Sequence, residues 1–290
     1  MFFSGIADEA GAGIGTQIKA HQDLGFTNIE LRTVGGVPIL ALEPAVLARV
    51  VSEIRMSGLK VPCLDTKIGD WSRPITGDFR TDRDDLIMAI RLARTLEMAH
   101  PLFRVMSWPN DKDNPVSEAD WQKEAVRRMR KLVEIAEGEG VVLAHENCSG
   151  WGGISMQNNC IVMEAIDSPA FKVLFDTGNP PTYGANSWGW YQLVKDQIVY
   201  VHIKDAKFRL NQEAPEEYTM AGDGDGYVRE IIADLLSSGY DGGFSIEPHL
   251  AAVIHTGQKA DKEQAQYASY IQSGLRLQTI VSQIRGEKHD

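Results

Sequence analysis

Eight short apolar runs alternate with amphipathic stretches along this 290-residue chain, and that alternation constrains the fold more than any other feature. The runs are FFSGIAD (2–8), NIELR (28–32), KVPCLD (60–65), PLFRVM (101–106), VVLAHE (141–146), KVLFD (172–176), IVYVHIK (198–204) and GFSIE (243–247). Between them lie segments such as PAVLARVVSEIRMSGL and EADWQKEAVRRMRKLVEIAEGEG. Their apolar residues recur at steps of three and four, the pattern of helices with one buried face. Gly25, Gly58, Gly140 and Gly239 each stand just before a run, where a left-handed residue ends a helix. Strands alternating with helices imply parallel strands joined by right-handed crossovers. Eight such units predict one α/β domain over residues 1–290, a single (β/α)8 TIM barrel. A doubly wound open sheet is the rival. Its phosphate loop would have to be GAGIG at 11–15, whose spacing departs from G-x-G-x-x-G, so that segment reads as a loop entering the first helix. The periodic segment 259–285 predicts a long helix that covers the first strand or closes the barrel.

Charge and cysteine usage narrow the partners. Asp and Glu outnumber Lys and Arg by 40 to 29, a net charge of -11, which argues against nucleic acid. No run of eighteen apolar residues is present, so no membrane-spanning helix is expected. The start, MFFSGIADEAG, lacks the basic region of a signal peptide. Cys63, Cys148 and Cys160 are too few for a disulfide framework, and a cytoplasmic location is the default reading.

In a barrel, active sites form at the C-terminal ends of the strands. The ends are therefore read in order. The second run delivers Glu30 and Arg32, the fifth Glu146, the sixth Asp176 followed by Asn179, the seventh His202, Lys204 and Asp205, and the eighth Glu247 and then His249. One acidic strand end is commonly a solvated loop entry or a helix cap. Four successive strands ending in Glu, Asp, His and Glu are not explained that way. Three converging carboxylates would repel one another unless a cation lay between them. A set of three carboxylates and one imidazole suits one divalent ion, Mn²⁺ first, with Mg²⁺, Co²⁺ or Zn²⁺ as alternatives.

The motifs HEN (145–147), FDTGN (175–179), YVHIKD (200–205), the G-D-G of 222–224 and SIEPH (245–249) resemble, as an ordered set, those of the xylose isomerase-like TIM barrels. That superfamily holds sugar isomerases, ketose 3-epimerases, inosose dehydratases and endonuclease IV. The resemblance implies that Glu146, Asp176, His202 and Glu247 are the four metal ligands. It also implies that Glu146 and Glu247 serve as acid and base on opposite faces of a sugar or keto-sugar. The expected activity is that of a metal-dependent isomerase or epimerase, in which a proton is taken from the carbon next to a carbonyl through a metal-stabilised enediolate. A dehydratase or lyase acting on a keto-sugar or keto-inositol begins with the same step and is the alternative. A non-catalytic sugar-binding barrel is the third reading. Homo-oligomerisation is expected of the family.

Further residues complete the expectation. Lys204 shares a face with His202 by two-residue alternation and is read as a substrate contact. Arg32, Asn179 and His249 are read as pocket residues, with an internal Glu30–Arg32 salt bridge as the other role for that pair. Trp108 and Trp151, in loops after the fourth and fifth strands, are read either as sugar-stacking walls or as packing of the rim. Cys63 and Cys148 are read as inert thiols, and His21 and His255 as surface or packing residues.

Overall fold

The computed structural model of the chain describes residues 1–211, 213–250 and 259–286. His255 lies outside these residues. Seven strands make one parallel sheet: β1 (Phe2–Gly5), β2 (Cys63–Asp65), β3 (Leu102–Ser107), β4 (Val142–Gly150), β5 (Phe171–Asp176), β6 (Ile198–Ile203) and β7 (Gly243–Ile246). Their order is β1-β7-β6-β5-β4-β3-β2, so β1 pairs with the last strand and the sheet curls. The gap between β1 and β2 is spanned by the second predicted run. Ile6 bridges Glu30 on one side, and Asn28 and Leu31 bridge Lys60 and Leu64 on the other. The eight staves of a (β/α)8 barrel are therefore present. The second is reduced from a full strand to single bridges, because the chain leaves it at Arg32 into a small hairpin of Thr33–Val34 with Val37–Pro38.

The helices follow the amphipathic stretches. α1 (Ile14–Asp23), α2 (Pro44–Ser57), α3 (Arg80–Thr95), α4 (Glu118–Glu139) and α5 (Met156–Ile166) bury one face each against the sheet. Gly58 and Gly140 cap α2 and α4 at φ 74° and 67°, the left-handed geometry that a residue with Cβ resists. Gly13 precedes α1, so GAGIG is the predicted helix entry. The short α6 (Asn179–Thr182) is followed by α7 (Ser187–Val194), α8 (Val228–Ser237) and the long α9 (Lys259–Gly286). α9 closes the barrel against α1. The Tyr270 ring is fully buried there beside His21, and Gly5 leaves room for the Tyr270 hydroxyl, which would lie 2.0 Å from a Cβ at that position. His21 is thus a packing residue and not a surface one. No described helix is long and apolar enough to cross a membrane.

Candidate metal centre

The predicted donors come together at the C-terminal mouth of the barrel. Asp176 and His202 are direct ladder neighbours on β5 and β6, and Ser245 of β7 is the next partner of His202. One ligand atom from each of Glu146, Asp176, His202 and Glu247 lies within 4.8 Å of all the others, and all four residues are buried.

Each donor is held by its far atom. Asp176 Oδ1 accepts the backbone N–H of Gly178 (2.8 Å) and of Asn179 (2.7 Å). Glu146 Oε2 pairs with Arg104 Nη1 at 3.0 Å. Glu247 Oε1 pairs with Arg32 Nη1 at 3.0 Å. His202 Nε2 donates to Glu30 Oε1 at 3.0 Å, and Glu30 Oε2 in turn accepts from Ser245 Oγ at 2.5 Å. This leaves Asp176 Oδ2, Glu146 Oε1, Glu247 Oε2 and His202 Nδ1 facing one another. His202 Nδ1 is 3.2 Å from Glu146 Oε1 and 3.5 Å from Glu247 Oε2. Such anchoring of ligands by outer partners is how proteins orient a metal's donors. Asp176 Oδ2 is buried, and its close partner is the Lys204 ammonium at 3.1 Å. The donor set fits a divalent ion.

The electrostatics say the same. Burial, opposed by Lys204 and reinforced by Glu247 and Glu146, pushes the Asp176 carboxyl up to about 6. Burial also acts on Glu146, but Arg104 and His202 outweigh it and hold that carboxyl at about 2. Burial lowers His202, yet Glu30, Glu146 and Glu247 raise it well above its ordinary value. Burial acts likewise on Glu247, but Lys204, His249 and His202 outweigh it and hold that carboxyl well below its ordinary value, so Asp176 is the carboxylate of the set that burial pushes up.

The family motifs now have physical content. The Asn147 side chain clamps the backbone of Asp176 both ways, donating to its carbonyl (2.9 Å) and accepting its N–H (2.7 Å). Thr177 Oγ1 donates to the Lys204 carbonyl at 2.6 Å. Asp205 gathers the G-D-G loop: Oδ2 accepts from Gly222 (2.8 Å) and Gly224 (3.0 Å), and Oδ1 from Gly226 (2.8 Å). A Cβ at Gly224 would lie 2.3 Å from Asp205 Oδ1, so that close approach requires glycine.

Beside the donors opens a crevice of about 400 Å³ lined by Asp8, Glu9, Arg32, Thr33, His249 and Gln266, among others. Arg32 and His249 touch both the crevice and Glu247 (3.0 and 3.9 Å). Glu30 and Arg32 do not pair with each other. Glu30 lies deeper, beneath His202, while Arg32 reaches the rim and meets Asp8, Glu9 and Glu247. Asn179 is buried with its Nδ2 unpartnered. Lys204 Nζ sits against Glu247 Oε2 (2.9 Å) and Asp176 Oδ2 (3.1 Å). Trp108 and Trp151 do not line the crevice. Both indoles are buried under the rim, their N–H groups tied to Asp82 (2.8 Å) and Glu118 (2.5 Å), so packing is their role. Cys63 and Cys148 are unpaired, and burial pushes both thiols up, which leaves them unreactive.

Sequence reading passed over Asp65 and Arg104. Their ladder positions are paired, their side chains form an ion pair, and Arg104 also holds Glu146. The signal was available: Asp65 ends the KVPCLD run, and Arg104 is a charged residue inside an apolar one.

The molecule is an α/β barrel whose mouth carries an acidic donor set braced by arginines. It belongs to the xylose isomerase-like TIM barrel family, whose model matches residues 18–270. An inosose dehydratase of Bacillus anthracis (strain CDC 684 / NRRL 3495) is 25% identical over 192 residues, which is 60% of this chain and 64% of that protein. The chain spans about half to two-thirds of the length of the curated inosose dehydratases it matches. Among solved structures, a D-tagatose 3-epimerase-like protein superposes with a TM-score of 0.75 at 17% identity, covering 99% of both chains. The IOLI protein with a bound zinc atom superposes with a TM-score of 0.72 at 14% identity, over 98% of this chain and 99% of that one. At these identities the superpositions speak for the fold.

Proposed function

We propose that the chain is a divalent-metal-dependent isomerase or epimerase acting on a sugar or keto-sugar, with Glu146, Asp176, His202 and Glu247 as the metal ligands. One observation carries this reading: each of the four donors has its far atom anchored, and the four near atoms converge. An ion held there supplies Lewis acidity toward a carbonyl oxygen and its neighbouring hydroxyl. The oxygen-rich set favours Mn²⁺, with Mg²⁺ and Co²⁺ close behind, and zinc is supported by the zinc-bound relative.

The chain's own residues then do the following. Glu146, kept ionised by Arg104, accepts the proton from the carbon beside the carbonyl. Glu247, on the other side of His202, returns a proton from the opposite face or relays the first. Asp176 and His202 hold their positions. Arg32 and His249 hold substrate hydroxyls in the crevice, and Asn179 Nδ2 offers a donor with no protein partner. The unpaired cysteines support a cytoplasmic setting.

A dehydratase acting on a keto-sugar or keto-inositol is the second reading. It is favoured by the likeness to inosose dehydratases and by Lys204, an ammonium beside the donors that could assist a departing hydroxyl. The test is a panel of keto-sugars and keto-inositols incubated in D₂O with Mn²⁺-loaded protein, followed by mass spectrometry. Deuterium entering beside the carbonyl at constant composition supports the isomerase or epimerase. Loss of one water selects the dehydratase. Exchange should vanish in Glu146→Gln. An ion-loaded, folded protein that exchanges no proton of any of these compounds would sink both readings and leave a binding barrel.

A further inference from the structure

The position of Lys204 at the mouth conflicts with its neighbours' proposed task. Its ammonium lies 2.9 Å from Glu247 Oε2 and 3.1 Å from Asp176 Oδ2. Those are the two oxygens left free when Arg32 takes Glu247 Oε1 and backbone N–H groups take Asp176 Oδ1. Lys204 therefore holds two of the four inward donors. We infer that Lys204 is an internal counter-cation of the donor set, bound where the metal binds, and that metal and ammonium exclude each other. The inference rests on the metal reading above and adds a competitor to it.

The charge arrangement makes the lysine necessary without metal. Glu146 has Arg104 and Glu247 has Arg32 as fixed partners on their outer oxygens, and both arginines are further committed, to Asp65 and to Asp8 and Glu9. Among the described residues, Asp176 is ion-paired by Lys204 alone. Removing that ammonium from an ion-free site leaves a buried carboxylate uncompensated. With a divalent ion present, the balance reverses. A dication and an ammonium on the same two oxygens repel strongly in a buried site, and the ion needs those oxygens. Lys204 is shaped for this post. Gly178 packs on its stem so closely that a Cβ there would lie 2.7 Å from Lys204 Cγ. Thr177 bonds its carbonyl, which fixes the backbone, so exchange with an ion falls to the outer carbons of the side chain. The displaced ammonium then becomes available to an oxygen of the substrate, which orders the events as metal first, substrate second.

The experiment measures Mn²⁺ affinity by calorimetry, and melting temperature with and without Mn²⁺, on chelator-stripped wild-type protein, Lys204→Met and Lys204→Gln. Removing a competitor that occupies the ion-free site should tighten Mn²⁺ binding by about tenfold or more in both variants. The same variants should melt lower than wild type without the ion, and the gap should close on loading. A lysine that merely supports the fold would leave affinity unchanged or weaken it, and either result overturns the inference. The neutral amide of Lys204→Gln guards against a folding failure specific to the methionine. If wild type binds no Mn²⁺ while the variants do, the lysine has replaced the metal outright and the inference stands. If none of the three folded proteins binds it, the metal reading fails and carries this inference with it. If wild type binds and the variants bind no better, the lysine inference alone falls.

Discussion

The two halves of the barrel mouth are built from similar residues and do different things. The later half, β4 to β7, ends in Glu146, Asp176, His202 and Glu247, each with one atom held from outside the set and one atom turned inward. The earlier half, from β1 through β3, ends in Asp8, Glu9, Glu30, Arg32, Asp65 and Arg104, whose charges are largely consumed by one another and by the outer oxygens of the later half. One half offers donors and the other braces them. The lesson is that charge at a strand end does not by itself mark a ligand. What separates the two halves is an atom left facing inward after the structural bonds have been counted.

The sharpest way to break that division is to remove a brace. Arg104→Met leaves Asp65 without its main buried partner and frees the outer oxygen of Glu146. Stripping one member from a buried ion network costs about 3–5 kcal/mol, so urea denaturation should register a loss of that order. Adding Asp65→Leu should restore much of the stability, because both buried charges then go. The division predicts that the double variant still binds Mn²⁺ more weakly than wild type, since Glu146 is no longer oriented. Full recovery of affinity in the double variant would show that the earlier half has no part in holding the ligands.

A smaller effect is expected one layer out, within the donor half. Asp205 adds no donor to the set. It closes the G-D-G loop through three backbone N–H groups. Asp205→Ala leaves those groups to water, and a loss of about 1–3 kcal/mol follows. Mn²⁺ affinity should hold while exchange of the substrate proton slows, because the loop borders the mouth and the donors stay anchored. A large drop in ion affinity in Asp205→Ala would move this residue from the loop's scaffold to the site's.

Much of this architecture is legible in the sequence. Strand and helix periods locate the eight staves, and the last four strand ends name the side chains that converge at the mouth. The bracing half is harder to read for a physical reason. Glu30 and Arg32 share a strand face, yet each finds its partners on other strands, so neighbour logic pairs them wrongly. Arg104 becomes meaningful only when the sheet sets it beside Asp65 and Glu146. Trp108 and Trp151 lie on the right rim, but Asp82 and Glu118 turn their indoles into packing, and nothing local encodes those partners. Lys204 is visible as an inward residue, whereas its contest with a metal for two oxygens depends on distances.

The smallest predicted effect tests whether the bracing half extends to the seam where α1 meets α9. His21 is buried there. Its Nδ1–H donates to the Gln17 carbonyl at 2.8 Å, and its Nε2, 3.2 Å from the Tyr270 hydroxyl, accepts from it. Accepting at Nε2 requires the neutral ring, and burial lowers the His21 pKa below its ordinary 6.5. The unfolded chain therefore binds a proton at a pH where the folded chain does not. The stability from His21 is full above about 6.5 and is lost as pH falls from there toward the folded value, at no more than about 1.4 kcal/mol per pH unit. Urea titrations of wild type and His21→Gln from pH 7.5 down to about 5 isolate this term, because the carboxylates titrate alike in both proteins. The stability advantage of wild type should shrink as pH falls. An advantage that stays constant across that range would mean that the seam tolerates an imidazolium, and that the ring's two carbonyl neighbours, Gln17 and Gly5, both accept from it.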